Sequence, residues 1–241
     1  MKTARLEATA GITGDMWLGA LVDAGASLEA IEQAVATLGI GDVRVSYARV
    51  LRDGHDAVLL RIRPPEQTPS VNTIAQVRAL LRFAAVQETV RQRALVVFDL
   101  LAEAVAHTQG VKEADLRFNE VRMLDDLGAI VGACVGLDDL GVETILVGPV
   151  GLTVDEPRSE RRQTVEHLLG GFRTEPVAGD ASLVSPVGAA LVAALGSPLG
   201  AAPALTPTTL GVGAPARERA DLGAGLLLLT IGMAVSASPG A

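Results

Sequence analysis

Carboxylates at two places give this 241-residue chain its clearest capacity for chemistry. Asp15 stands in the turn Gly11-Ile12-Thr13-Gly14-Asp15-Met16, where glycines let a ligand approach the backbone and a carboxylate can orient a metal ion or a proton. At a helix start the same carboxylate can instead bond the first-turn N–H groups and meet the positive end of the helix dipole, a purely structural role. A negative side chain in this loop speaks against a bare phosphate cradle. Glu120, Asp125 and Asp126 fall close together at a strand-to-helix junction, where oxygen ligands suit Mg²⁺ or Mn²⁺ and where charge at a solvated helix start is the competing explanation. Glu7 joins this set only if the first strand lies beside the Phe118 segment.

The remaining reactive side chains carry weaker signals. His55, His107 and His167 share no ligand spacing such as H-x-x-x-H and read as surface or helix-end groups. Cys134, among Val131, Ala133 and Val135, reads as a small packed hydrophobe. Arg158, Arg161 and Arg162 interleave with Asp155, Glu156 and Glu160, which describes a solvated loop rather than an anion site. Ser185 precedes Pro186 without a G-x-S-x-G elbow and is explained as a helix cap. Gly211-x-Gly213 is too short for a dinucleotide fingerprint, and no G-x-x-x-x-G-K-[ST] loop occurs, so ATPases and Rossmann oxidoreductases are disfavoured.

The elements that must position these groups follow from periodicity and punctuation. Residues 3–8 form a strand that enters the glycine turn, and Trp17, Leu18, Leu21 and Val22 recur at helical spacing after it. Ser27 caps a second helix that ends at Gly39 to Gly41. Alternation at Val43, Val45 and Tyr47 and again at Val58, Leu60 and Ile62, around Asp53-Gly54, predicts a hairpin. Helical stripes follow at Ile74 to Leu81, Val90 to Val105 and Leu124 to Leu137, with Leu116 to Val121 read as a brief strand before the last of them. Residues 142–152 read as a buried strand, Pro186 to about Leu195 as a helix, 196–207 and 211–213 as loops, and Leu226 to Ile231 as a final strand. The order predicts an α/β or α+β fold, with mixed strands and helices in one compact domain over residues 1–235. A soft boundary at residues 64–70 allows two subdomains, and residues 236–241 read as a frayed tail.

Composition narrows the function classes. A formal charge of −8, with Lys2 and Lys112 the only lysines, argues against nucleic-acid binding. One cysteine excludes an internal disulfide and a thiolate cluster, and no apolar stretch reaches the length of a spanning helix, so a cytoplasmic protein without membrane contact is expected. Aromatic residues at 2% leave aliphatic side chains to fill the core.

Three segments in order resemble the LarC family of nickel-insertion proteins, which complete the nickel-pincer cofactor of lactate racemase. Gly11-Ile12-Thr13-Gly14-Asp15-Met16 with Leu18-Gly19-Ala20-Leu21-Val22-Asp23 is similar to the family's opening S-G-I-S-G-D-M-x-L-G-A-L-I-D. Phe118-Asn119-Glu120-Val121, running to Asp125 and Ile130-Val131-Gly132-Ala133, resembles its F-H-E-V…D-I-V-G-A stretch. Leu183-Val184-Ser185-Pro186-Val187-Gly188-Ala189-Ala190-Leu191 resembles its E-L-V-T-P-T-G-A-A-L. The likeness extends from Leu6 to about Leu195. Where the family has histidine, this chain has Asn119 in the H-E-V motif, Gln109 within His107-Thr108-Gln109-Gly110, and small polar residues near Ser70-Val71-Asn72-Thr73-Ile74. An amide lacks the ring nitrogen that nickel favours.

The resemblance implies nickel insertion into a pyridinium bisthiocarboxylate mononucleotide, a chelatase activity of the lyase class. It implies Asp15, Glu120 and Asp125 as catalytic or metal-holding residues for Ni²⁺, Mn²⁺ or Mg²⁺, and Gly11, Thr13, Gly14 and Ser185 as cofactor-binding ones. CTP is expected only if a partner supplies the family's C-terminal region; that partner, a full-length homologue or a second copy of the chain are the expected associations. The alternative expectation is a non-catalytic scaffold or binding subunit that keeps the fold.

Overall fold

The computed structural model describes residues 1–41, 43–63, 70–154, 156–178, 183–200, 205–216 and 225–234. The chain begins with β1 (Lys2–Ala8), α1 (Gly14–Asp23) and α2 (Leu28–Ala36), followed by the hairpin of β2 (Arg44–Arg52) and β3 (His55–Arg63). Asp53 and Gly54 both have positive φ, 46° and 78°, which matches the two-residue turn expected of Asp-Gly. Helices α3 (Ile74–Phe83), α4 (Glu88–Gln109) and α5 (Glu120–Asp139) come next, with a short 3₁₀ turn at Glu113–Asp115. Then β4 (Thr144–Thr153), α6 (Glu160–Leu168), β5 (Thr174–Val177), α7 (Pro186–Leu195), β6 (Gly196–Pro198), β7 (Leu205–Gly213) and β8 (Leu227–Ala234) complete the order. The expected α/β class is observed. The boundary expected at residues 64–70 and the tail at 236–241 fall outside the described residues, apart from Ser70.

Side-chain caps explain where most helices begin. Thr13, Ser27, Thr73, Asn119, Ser159 and Ser185 each accept a hydrogen bond from a first-turn N–H, satisfying donors that the helix itself leaves unpaired. Asn119 is one of these caps, so the strand expected at residues 116–121 does not form. Residues 116–119 instead link the 3₁₀ turn at Glu113–Asp115 to α5 without regular structure, and the Phe118 N–H donates to the Asn72 carbonyl at 2.9 Å.

The strands form one mixed sheet in the order β2-β3-β7-β8-β1-β4-β5, with β6 beside β4. β1 runs parallel to β4, and β4 to β5 and β6; β8 is antiparallel to β1 and β7, and β7 is parallel to β3. Thus β1, β3, β4, β5, β6 and β7 point the same way, and the carboxyl ends of β1, β3, β4, β5 and β7 gather at one edge. Residues 211–213, expected as a loop, are the end of β7, and β7 begins before the loop expected to reach Pro207. Thr206, Thr208 and Thr209 supply the β-branched character that keeps this segment extended.

Helices cover one face. Ala4, Leu6 and Ala8 of β1, Val58, Leu60 and Ile62 of β3, and Leu227, Leu229 and Ile231 of β8 are buried in the core, while Arg5 and Glu7 alternate with them and pair with each other at 3.1 Å. Among the described residues no helix is long and apolar enough to cross a membrane. Helix α1 lies unusually close to the sheet. A Cβ on Gly213 would stand 1.9 Å from the Met16 carbonyl, on Gly211 2.0 Å from the Ala20 carbonyl, and on Gly19 2.2 Å from the Val58 carbonyl. These glycines are therefore packing residues, and the Gly211-x-Gly213 spacing belongs to the α1 contact.

Gly213→Ala must push α1 away from β7. It is expected to cost about 1–3 kcal/mol in urea unfolding, as overpacking of a tight core does. Gly171→Ala, with nothing within 4 Å of the added carbon, is the control and should change stability by no more than about 0.5 kcal/mol.

Candidate functional site

The sheet places Thr13 and Asp15 at its carboxyl edge because β1 ends at Ala8 and the chain turns directly into α1. The turn is held by the Gly11 N–H donating to the Ala8 carbonyl at 3.0 Å. Thr13 is the cap of α1; its hydroxyl accepts from the Met16 N–H and donates to an Asp15 carboxylate oxygen. The other oxygen of Asp15 accepts the N–H of Ala216, just beyond β7, and the Ala216 carbonyl accepts from the Arg61 guanidinium. Asp15 is therefore not the helix cap expected from its position. It fastens the segment after β7 across the start of α1.

The three sequence motifs meet at this point. A Cβ on Gly11 would lie 2.7 Å from Cβ of Leu183, and one on Gly14 would lie 2.7 Å from Cβ of Ala129. The Ser185 N–H donates to the Ile12 carbonyl at 2.9 Å, and a Cβ on Gly188 would stand 2.4 Å from the same carbonyl. Ser185 itself caps α7, accepting from the Gly188 N–H at 3.0 Å. Glycines and small residues in all three motifs thus let three backbone segments pack against one another, which is why their types are restricted.

Asp125 stands within electrostatic reach of Asp15. Partial desolvation raises its carboxyl above the usual range, Arg63 pulls it down, the charge of Asp15 raises it further and Arg122 opposes that. The edge consequently carries two carboxylates, Asp15 and Asp125, beside two guanidinium groups, Arg63 and Arg122. Half-buried Asp126 is pushed up to about 7 by desolvation, against the attraction of Arg122.

Glu120 is held apart from this pair. One of its oxygens accepts from the Ser70 hydroxyl at 2.6 Å and from the Asn72 amide at 3.2 Å. Five helical positions separate Glu120 from Asp125, a rotation of about 140°, so the two face different directions. The segments at 70–74 and 118–120, both expected to be histidine-bearing in the family, are nevertheless brought together here, around Glu120. Among the described residues no group of three His, Cys, Asp or Glu side chains is arranged to hold a metal ion. Glu7 does not join the acidic residues, because β1 lies between β8 and β4. Cys134 is fully buried and its thiol is pushed up to about 12, so it packs as expected and stays protonated.

The charged run after β4 is more structured than the solvated loop expected from the sequence. Arg161 pairs with Glu156 at 3.2 Å and donates to the Val184 carbonyl at 2.7 Å, while Arg162 donates to the Thr153 carbonyl and pairs with Glu166 at 2.7 Å. These bonds tie α6 to the strand end and to the third motif. The sequence also gave no sign that His107 and His167, sixty positions apart, stack with ring centroids 4.5 Å apart. Only the packing of α4 on α6 brings them together.

A two-layer α/β domain whose three motifs converge at the carboxyl edge of its sheet is the class defined by these observations. The chain belongs to the nickel insertion protein family, which it matches over residues 4–231. It is 36% identical over 227 residues to a "Putative nickel insertion protein" of Synechococcus sp. (strain JA-3-3Ab), covering 90% of this chain and 57% of that protein. It is 33% identical over 224 residues to the pyridinium-3,5-bisthiocarboxylic acid mononucleotide nickel insertion protein of Nocardioides sp. (strain ATCC BAA-499 / JS614), again covering 90% and 57%. A relative from Geotalea daltonii is 32% identical over 240 residues, covering 96% of this chain and 61% of that protein. The chain thus spans less than two thirds of the length of these relatives. No solved structure matches it.

The raised Asp126 carboxyl predicts a specific pH dependence. The folded state keeps this proton up to about 7, whereas an unfolded Asp releases it near ~3.9, so stability present at low pH is lost as pH rises through that window. Asp126→Asn should raise the Tm by a few degrees at pH 8 and by little or nothing at pH 4, measured by thermal unfolding. A gain of equal size at both pH values would contradict the assignment.

Proposed function

We propose that this chain takes part in nickel insertion into a pyridinium bisthiocarboxylate mononucleotide and that the carboxyl edge of its sheet receives that molecule. The observation that carries this reading is the meeting of the three family motifs around Asp15, with Asp125, Arg63 and Arg122 beside it. Such a mononucleotide has mixed charge: a cationic ring with anionic thiocarboxylate and phosphate groups. Carboxylates suit the ring, and guanidinium groups suit phosphate and thiocarboxylate. In this reading the backbone of Gly11, Thr13 and Gly14, together with Ser185, lines the approach, and Ni²⁺ is a substrate delivered to the sulfur atoms of the mononucleotide. Asp15 and Asp125 act as orienting and metal-handling groups, with Glu120 a ligand only if it leaves Ser70 and Asn72.

CTP enters the proposal only through the part of the relatives' length that this chain does not span, contributed by a partner polypeptide, while Mn²⁺ or Mg²⁺ is the alternative ion for the carboxylates of the edge. A full-length homologue or a second copy of this chain are the other associations the reading allows. One observation favours the second reading, a non-catalytic scaffold. Among the described residues the three candidate ligands do not gather, and the amide and hydroxyl groups at Asn72 and Ser70 face Glu120 where the family resemblance led to histidines.

Titration of the tag-free chain with the pyridinium bisthiocarboxylate mononucleotide, followed by its absorbance with and without Ni²⁺, separates the two. The insertion reading expects saturable binding that Asp15→Asn and Asp125→Asn each weaken about tenfold, or ~1.4 kcal/mol, with the fold intact by circular dichroism. Absence of binding by the unaltered chain would leave only the scaffold.

A further inference from the structure

Helices α4 and α6 are held together by the Thr164 hydroxyl donating to that of Thr108 at 3.3 Å and by the Gln109 amide donating to Glu160 at 3.5 Å. Above these contacts the imidazoles of His107 and His167 stack, with centroids 4.5 Å apart and planes inclined by 28°. Both residues are exposed, and neither ring makes a hydrogen bond or an ion pair among the described residues. Each lies in the last turn of its helix, where the terminal carbonyl groups carry partial negative charge and favour a cation.

We propose that His107 and His167 together bind one divalent transition-metal ion of the class that prefers imidazole nitrogen, such as Ni²⁺, at a site separate from the carboxylates of the sheet edge. The geometry supports a shared ion. A metal held ~2.1 Å from a ring nitrogen stands ~3.2 Å from that ring's centroid, so two imidazoles at right angles about one ion have centroids ~4.5 Å apart. The two side chains already stand that close, stacked rather than converging, and turning these exposed rings about their own side-chain bonds aims a nitrogen of each at a common point. Water fills the remaining positions. With nitrogen ligands supplying the core of the site, hard ions such as Mg²⁺ are poorly held.

The test is calorimetric titration of the tag-free chain with Ni²⁺ at pH 7.5, repeated with Mg²⁺, and with His107→Asn, His167→Asn and the double variant. The expected result is one Ni²⁺ per chain, weakened about tenfold or more by either single substitution and no further by the double one, because a chelate is lost when either arm goes. Paramagnetic Ni²⁺ should broaden the NMR signals of both imidazoles and leave His55 sharp, and Mg²⁺ should give no heat. Repeating the titration in Asp15→Asn/Asp125→Asn removes the sheet-edge carboxylates, so failure of the edge reading leaves this binding unchanged. The proposal is overturned if Ni²⁺ does not bind, if binding survives both histidine substitutions, or if only one of the two rings is affected.

Discussion

Backbone of α1 lies against the backbone of β3 and β7 with no side chain between them, and this contact decides where the first motif ends up. Gly19, Gly211 and Gly213 make it possible, since a single added carbon at any of them would stand within about 2.2 Å of a carbonyl oxygen. With the body of the helix fixed so low on the sheet, its first turn cannot float. Thr13 and Asp15 are held at the carboxyl edge, where Asp15 can accept the Ala216 N–H from the end of β7. Helix α5 then settles on α1 through glycines of its own: a Cβ at Gly132 would meet Leu18, and one at Gly136 would meet Leu21. That second contact brings Asp125 toward Asp15.

The edge so built follows the general behaviour of sheets with parallel strands, in which loops and helix starts collect beyond the carboxyl ends and form the natural place for a ligand. What distinguishes this edge is its charge. Two carboxylates share it with two guanidinium groups, and partial desolvation disfavours the charge on Asp125. An arrangement of that kind discriminates poorly between simple anions and simple cations but suits a ligand that carries both signs. The imidazole pair on α4 and α6 is chemically different, offering nitrogen where the edge offers oxygen.

Much of the fold was legible because local chemistry announced it. Ser27 and Ser185-Pro186 marked helix starts, Asp53-Gly54 marked the hairpin, and Gly39 and Gly41 follow α2 with the positive φ that glycine tolerates. Legibility failed where a residue's role depended on a distant segment. Asn119 looked like the end of a strand but caps α5, and Gly211 and Gly213 looked like a loop because nothing local reveals that α1 presses on them. The candidate site divided in the same way. Asp15 stood out in the sequence as the residue to watch, yet nothing there pointed to its partner Ala216, 201 positions away, and Glu120 was grouped with Asp125 by sequence proximity that helical rotation undoes. The stacking of His107 on His167 had no sequence signal of any kind, since neither spacing nor motif links two helices that meet only in the folded state.

The central claim is that the meeting point of the three motifs is where the mononucleotide binds. A crystal structure of the chain grown with the pyridinium bisthiocarboxylate mononucleotide tests it most directly. The account predicts the ligand at the carboxyl edge, with its ring beside Asp15 and Asp125 and its phosphate toward Arg63 or Arg122. A ligand seated elsewhere, for instance along the exposed edge strand β2 or against α3, with the Thr13 to Ala216 region unchanged and empty, would contradict it.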